Sequence, residues 1–148
     1  VSERYPSHLY THRKTPSLPH VINRGTAASF KEACHIFRSS KINLNITLRS
    51  IRTGIPLRAF EIMGSGGFLL TNYQEDYLDY FEPGVDFAYY DSYDDLLAKI
   101  EYYLTHEEER SFVAKNGYEK VKKYHTYKNR VDEMIKIMDI EQMDGDEA

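Results

Sequence analysis

Arg58 and Glu61 lie three residues apart, directly behind a glycine-proline turn made by Gly54, Ile55 and Pro56. From Thr53 to Asn72 the order is a glycine turn, a short helix from Leu57, a second glycine turn at Gly64-Ser65-Gly66-Gly67, and an apolar strand at Phe68-Leu69-Leu70. The first N–H groups of a helix have no partner inside it, and the helix dipole makes that end positive, so it attracts anions. Gly54, with no Cβ, lets the backbone approach such a ligand closely. Pro56 suits a first helical position, where a lost N–H costs nothing. Arg58 adds a permanent charge whose donors match phosphate oxygens. Glu61 shares the helix face of Arg58 and can accept from two neighbouring hydroxyls. The diphosphate and ribose of a nucleotide sugar present those groups side by side. The plain alternative is a surface ion pair worth ~0.2–0.5 kcal/mol, flanked by ordinary turns.

The elements that must hold these residues belong to a chain of 148 residues, enough for one domain with a real core. Its net charge of -4 argues against a general nucleic-acid binder, so an anion site must come from local geometry. A single cysteine, Cys34, excludes an internal disulfide and fits a reducing, cytoplasmic compartment. No apolar run approaches the ~20 residues of a membrane span, and no signal peptide is visible. A first residue of Val1 suggests a fragment of a longer protein. Thirteen tyrosines without a tryptophan, dense at Tyr89-Tyr90 and Tyr102-Tyr103, read as half-buried scaffold, because no basic residues interleave them as a stacking platform requires.

Residues 1 to 25 are polar and broken by prolines, with short strands expected at Leu9-Tyr10-Thr11 and His20-Val21-Ile22. Phe30, Ala33, Cys34 and Phe37 fall at helical spacing and predict a helix over 26–38, capped by Thr26 or Ser29, with Cys34 a buried inert thiol. Ile42 to Leu48 alternates apolar and polar, which predicts a strand. Asn43, Asn45 and Thr47 then face either water at a sheet edge or a ligand cleft, and Asn45 and Thr47 are candidate cleft residues. Tyr77 to Phe81 predicts a helical turn and Phe87 to Tyr90 a strand. Tyr93, Leu96, Leu97, Ile100 and Leu104 form an apolar helical stripe behind a capping box of Ser92 and Asp95. Thr105 with Glu108 repeats the box for a helix running to about Lys123. Thr126 caps a last helix with Val131, Met134, Ile135 and Met138 on one face. One domain is expected over 1–140, with an acidic tail over 141–148. Alternating strands and helices followed by a helical third predict an α/β fold with a small parallel sheet.

Other chemistry is less well supported. The six histidines show no metal-ligand spacing, so no metal site is expected, and His125 reads as a packing residue. Asp94-Asp95 and Glu107-Glu108-Glu109 fit first turns of helices, where acids favour the dipole. No serine sits in a nucleophile elbow.

The run Ser40-Lys41-Ile42-Asn43-Leu44-Asn45, then Gly54-Ile55-Pro56-Leu57-Arg58-Ala59-Phe60-Glu61, resembles the CgeB-like (spore-maturation type) glycosyltransferases. Phe68-Leu69-Leu70-Thr71-Asn72, Phe81-Glu82-Pro83-Gly84 and His125-Thr126-Tyr127 extend the resemblance over roughly residues 35 to 135. It implies a GT-B architecture of two Rossmann-like halves, this chain being the donor-binding carboxyl-terminal half and an amino-terminal half being absent from it. It implies transfer of a sugar from a nucleotide-diphosphate donor to an unknown acceptor, with no cofactor and no bound metal. By resemblance Glu61 holds the ribose, Arg58 is the catalytic residue that meets the diphosphate, and Gly54, Ile55, Pro56 and Leu57 form the loop that approaches it. Wider relatives carry a further glutamate where Thr53 stands, which removes one expected contact to the donor sugar. The rival readings are a non-catalytic nucleotide-binding module and a protein-interaction domain that kept the fold.

Overall fold

Leu69 and Leu70 are adjacent in sequence and fully buried, at 1% and 0% exposure. Successive strand residues point to opposite faces of a sheet, so their strand must be covered on both sides. That strand, β4 (Leu69–Asn72), is the centre of the molecule; β1 (Ser7–Tyr10), β2 (Val21–Gly25), β3 (Asn43–Asn45) and β5 (Ala88–Tyr90) are the others. Among the described residues there are also five helices, α1 (Phe30–Ser39), α2 (Leu57–Gly64), α3 (Tyr93–Thr105), α4 (Glu107–Tyr124) and α5 (Tyr127–Gly145), with a 3-10 turn at Glu75–Tyr77. The structure is a computed structural model and describes residues 1–14, 17–48, 50–51 and 53–145, with side chains described as far as residue 138.

The strands form a parallel three-stranded sheet in the order β3-β4-β5, with Asn45 opposite Thr71 and Thr71 opposite Tyr89. A separate parallel pair joins β1 to β2, Ser7 lying opposite Val21. On one face of the larger sheet Leu69 packs with Ala59, Ile62 and Met63 of α2, Tyr77, Phe81, Phe87 and Val121 of α4. On the other face Leu70 packs with Phe68, Ala88, Leu96, Ile100, Tyr103 and Val113. Burying an aliphatic side chain of this size contributes about 1.5–3 kcal/mol, so these two clusters hold the α/β layers together. This is an α/β fold of small parallel sheets flanked by helices, as expected for a Rossmann-like half of a GT-B enzyme.

Helix boundaries follow the caps. Ser29 accepts from Glu32 N at 3.2 Å and starts α1, Ser92 accepts from Asp95 N at 3.1 Å and starts α3, and Thr126 accepts from Asn129 N at 3.2 Å before α5. Thr105 does not begin α4 as its spacing from Glu108 suggested. Its hydroxyl instead donates to the carbonyls of Glu101 and Tyr102, closing α3, and His106 occupies the N-cap without a side-chain bond. A threonine hydroxyl reaches the preceding turn as readily as the following one. The expected burial of α1 also fails. It buries none of its residues, Phe30 is 69% exposed and Cys34 is half-buried. Likewise α5 runs on past Glu141 to Gly145, and its apolar residues from Val131 to Met138 are exposed.

Candidate functional site

Strand β3 delivers the chain to the carboxyl end of the sheet, and α2 begins at Leu57. Ligands of open α/β sheets bind outside the carboxyl ends of the strands, so the start of α2 stands where a ligand is expected. Gly54 adopts φ +90°, a left-handed conformation that favours glycine. Pro56, with φ -59° and ψ 140°, is the N-cap rather than the first helical residue, one place earlier than its sequence position suggested. Pro56 makes no side-chain cap, and the first turn of α2 holds no acid. Ile55 and Pro56 are half-buried, and Leu57 is 59% exposed.

Arg58 and Glu61 meet as an i,i+3 pair, Nε to Oε2 3.4 Å, and the arginine side chain is mostly in solvent. A surface pair at this distance, with the glutamate half-buried, is worth little, so each partner is free to exchange for a better one. The Arg58 guanidinium also lies over the Phe37 ring, 5.5 Å from its centre, which ties α2 to α1. Sequence reasoning missed Asp76. Its carboxylate accepts a hydrogen bond from the Gly54 N–H. That donor of the expected cradle is thus already met by an anion, the protein's own. Twenty-two residues separate the partners, and no local pattern signals such a contact.

Asn45 and Thr47 do not face water. They are 8% and 7% exposed, and Asn43 is 8% exposed. The apolar residues between and beside them are the exposed ones, with Leu44 at 38%, Ile46 at 68% and Leu48 at 68%. β3 is an edge strand, as one reading had it, but its polar side is the buried side. The reason is hydrogen bonding, since each buried amide has strong partners. Asn43 Nδ2 donates to Phe37 O at 2.9 Å and Phe68 O at 3.2 Å, and Asn45 Nδ2 donates to Thr71 Oγ1 at 3.2 Å. Thr47 N donates to Asn72 Oδ1 at 2.7 Å. Among the described residues, Thr47 Oγ1, Gln74 Oε1 and the Tyr77 hydroxyl are buried polar atoms without a hydrogen-bond partner. Burial raises the Tyr77 hydroxyl above the usual phenol range, against the lowering influence of the neighbouring Thr71 and Asn45 side chains.

Behind α2, Phe60 packs on His125, ring centres 5.5 Å apart, and Tyr80 and Phe81 surround the same imidazole. Burial and the charges of Arg130 and Lys120 lower the histidine below its ordinary 6.5, so the neutral ring is favoured. No group of three or more His, Cys, Asp or Glu gathers as a metal site among the described residues. Across residues 2–136 the sequence matches the family model described as glycosyl transferase-like. The chain belongs to the glycosyl transferase-like family. Sugar transfer is therefore its class of activity, and a sugar donor and an acceptor are its substrates in general terms. No curated protein matches it. No helix of this glycosyl transferase-like chain is long and apolar enough to cross a membrane, among the described residues.

Proposed function

We propose that this chain is the donor-binding domain of a cytoplasmic GT-B glycosyltransferase of the CgeB-like type. It binds a nucleotide-diphosphate sugar and works with an amino-terminal domain that carries the acceptor. The observation that carries the reading is the uncapped start of α2 at the carboxyl end of the β3–β4 pair, with Arg58 and Glu61 on its accessible face. The diphosphate lies across Gly54, Ile55, Pro56 and Leu57. It displaces Asp76 from the Gly54 N–H and takes Glu61's place beside Arg58. Glu61, released from the ion pair, accepts from the ribose hydroxyls. Asn45 and Thr47 belong to the same site in this reading, supported by the buried Thr47 hydroxyl that has no hydrogen-bond partner.

Breaking the glycosidic bond leaves negative charge on the departing diphosphate. Donors already aimed at that position stabilise the charge without reorganising. Arg58 and the α2 N–H groups supply them, so the site needs neither metal nor cofactor for this step. Holding the ribose at Glu61 fixes where the reacting carbon lies.

The test is calorimetric titration with uridine and guanosine diphosphates and their nucleosides. Arg58→Ala is expected to weaken diphosphate binding by roughly tenfold or more, about 1.4 kcal/mol, and nucleoside binding hardly at all. Glu61→Ala is expected to weaken both. Equal loss for both ligands in Arg58→Ala, or unchanged binding in Glu61→Ala, would remove the assignment.

A further inference from the structure

At the opposite, amino-terminal ends of the strands lies a second feature of the right chemistry for an anion. A cleft of about 380 Å³ opens between the end of α1 and the first turns of α4, with the turn around Gly66 as its floor. Arg38, Lys41, Arg110 and Lys115 line it, with Ser111, and Glu107 is its one acid among the described residues. Four cations against one carboxylate stand out on a chain of net charge -4. Arg38 alone would be an ordinary cation at a helix end, offsetting the dipole. Lys41 precedes β3 and Lys115 belongs to α4, so three separate elements bring charge to one place.

The charges are not used up inside the protein. Arg38, Lys41 and Lys115 are exposed and make no ion pair among the described residues. The Arg110 side chain is 8% exposed, and its partner Glu107 is 3.8 Å away and 79% exposed. A buried guanidinium normally finds a close, hydrogen-bonded anion. Here one end is held by the Tyr103 carbonyl, and its carboxylate lies beyond hydrogen-bond distance and largely in water.

The walls are fixed. Asn43 bridges the carbonyls of Phe37 at the end of α1 and Phe68 before β4. Ser65 N–H closes the end of α2 on Glu61 and Ile62 carbonyls at 3.1 and 3.2 Å. At Gly67 a side chain would meet Asn43 Nδ2 and Phe37 O at 2.7 Å each, so the floor has no slack. A rigid, cation-lined cleft binds without first ordering itself.

We propose that this cleft is a second anion site, distinct from the start of α2, which takes a phosphate-bearing group with Arg110 as its buried anchor. Arg110 and Lys115 approach the phosphate from α4, and Lys41 and Arg38 from the other wall. The phosphate reaches the cleft either as a free soluble ester or as the headgroup of an anionic lipid, and both present the same oxygens.

The test uses the chain carrying Arg58→Ala, which weakens the α2 site, compared with the same chain carrying Lys41→Glu and Lys115→Glu as well. Both lysines are exposed, so these changes leave the fold intact, checked by circular dichroism. Inorganic pyrophosphate is titrated at low ionic strength, where surface charges act most strongly. Phosphatidylcholine vesicles with and without phosphatidate are tested by co-sedimentation. Binding that persists in Arg58→Ala and falls roughly tenfold or more, about 1.4 kcal/mol, in the lysine variants is the expected result. Pyrophosphate without vesicle recruitment identifies a soluble ester; recruitment by phosphatidate alone identifies a lipid. Binding of neither probe, or binding that the lysine changes leave untouched, overturns the proposal.

Discussion

Asp76 holds the Gly54 N–H that the proposed diphosphate site requires, so this one contact sets the terms of that proposal. A carboxylate near an incoming diphosphate repels it and must be displaced, which subtracts from affinity. Asp76→Asn keeps the size and an acceptor oxygen but removes the charge. Uridine diphosphate is expected to bind several-fold more tightly to this variant, measured by calorimetry. Unchanged or weaker binding would mean that Asp76 lies outside the ligand's path. At Gly54 itself, φ +90° makes alanine costly by about 1–2 kcal/mol. Gly54→Ala should therefore lower the thermal midpoint even without ligand.

His125 is the second residue whose environment can be tested directly. Its surroundings, Phe60, Tyr80 and Phe81 with Arg130 Nη2 3.0 Å from Nδ1, favour the neutral imidazole. Lys120 also adds positive charge, and Glu133 opposes it. Because the folded value is lowered from 6.5, the unfolded chain takes up a proton first as the pH falls. Stability is then present above about 6.5 and is lost as pH falls through the folded value. Thermal unfolding across this range should show a slope that His125→Phe flattens. An unchanged slope would place the titrating group elsewhere.

At the scale of elements, the contact of α2 with α4 fixes α2 to the core. Gly117 of α4 lies where a side chain would meet the Asp86 carbonyl oxygen and, at 3.3 Å, Met63 Sδ. Alanine normally stabilises a helix relative to glycine by about 1 kcal/mol. Here the added methyl presses on backbone, and overpacking costs about 1–3 kcal/mol. Gly117→Ala is expected to destabilise the protein in urea unfolding, and stabilisation would contradict the close approach. Asp86, the partner of Gly117, is too distant in the chain for this close approach to be read from spacing. The same limit runs through the other elements. The serine caps at Ser29 and Ser92 and the period of Leu96, Leu97 and Ile100 were legible because they are local. The inward turn of Asn43 and Asn45 was not, since it depends on Phe37, Phe68 and Thr71 across the sheet. Of the candidate site, the order of turn, helix, arginine and glutamate was legible, and the intruding carboxylate of Asp76 was not.

Across the whole molecule, β3 with the segment after it and α5 are two of the stretches that leave several apolar side chains on the surface. On β3 and the segment after it, Leu44, Ile46, Leu48 and Ile51 are all exposed. On α5, Val131, Met134, Ile135, Ile137 and Met138 are between 50% and 63% exposed. The stripe of α5 that the sequence announces therefore contributes little to the two described cores, whose members end at Val121. Exposed side chains away from special contacts usually change stability by less than about 0.5 kcal/mol when replaced. Met134→Lys with Ile135→Lys should accordingly leave the urea midpoint unchanged, whereas Leu97→Lys, at 8% exposure, should lower it sharply. The double change should also reduce binding of an apolar fluorescent dye, because contiguous exposed apolar surface is what such dyes detect. A fall in the midpoint of the α5 variant would show that this helix packs more closely than its side-chain exposure indicates.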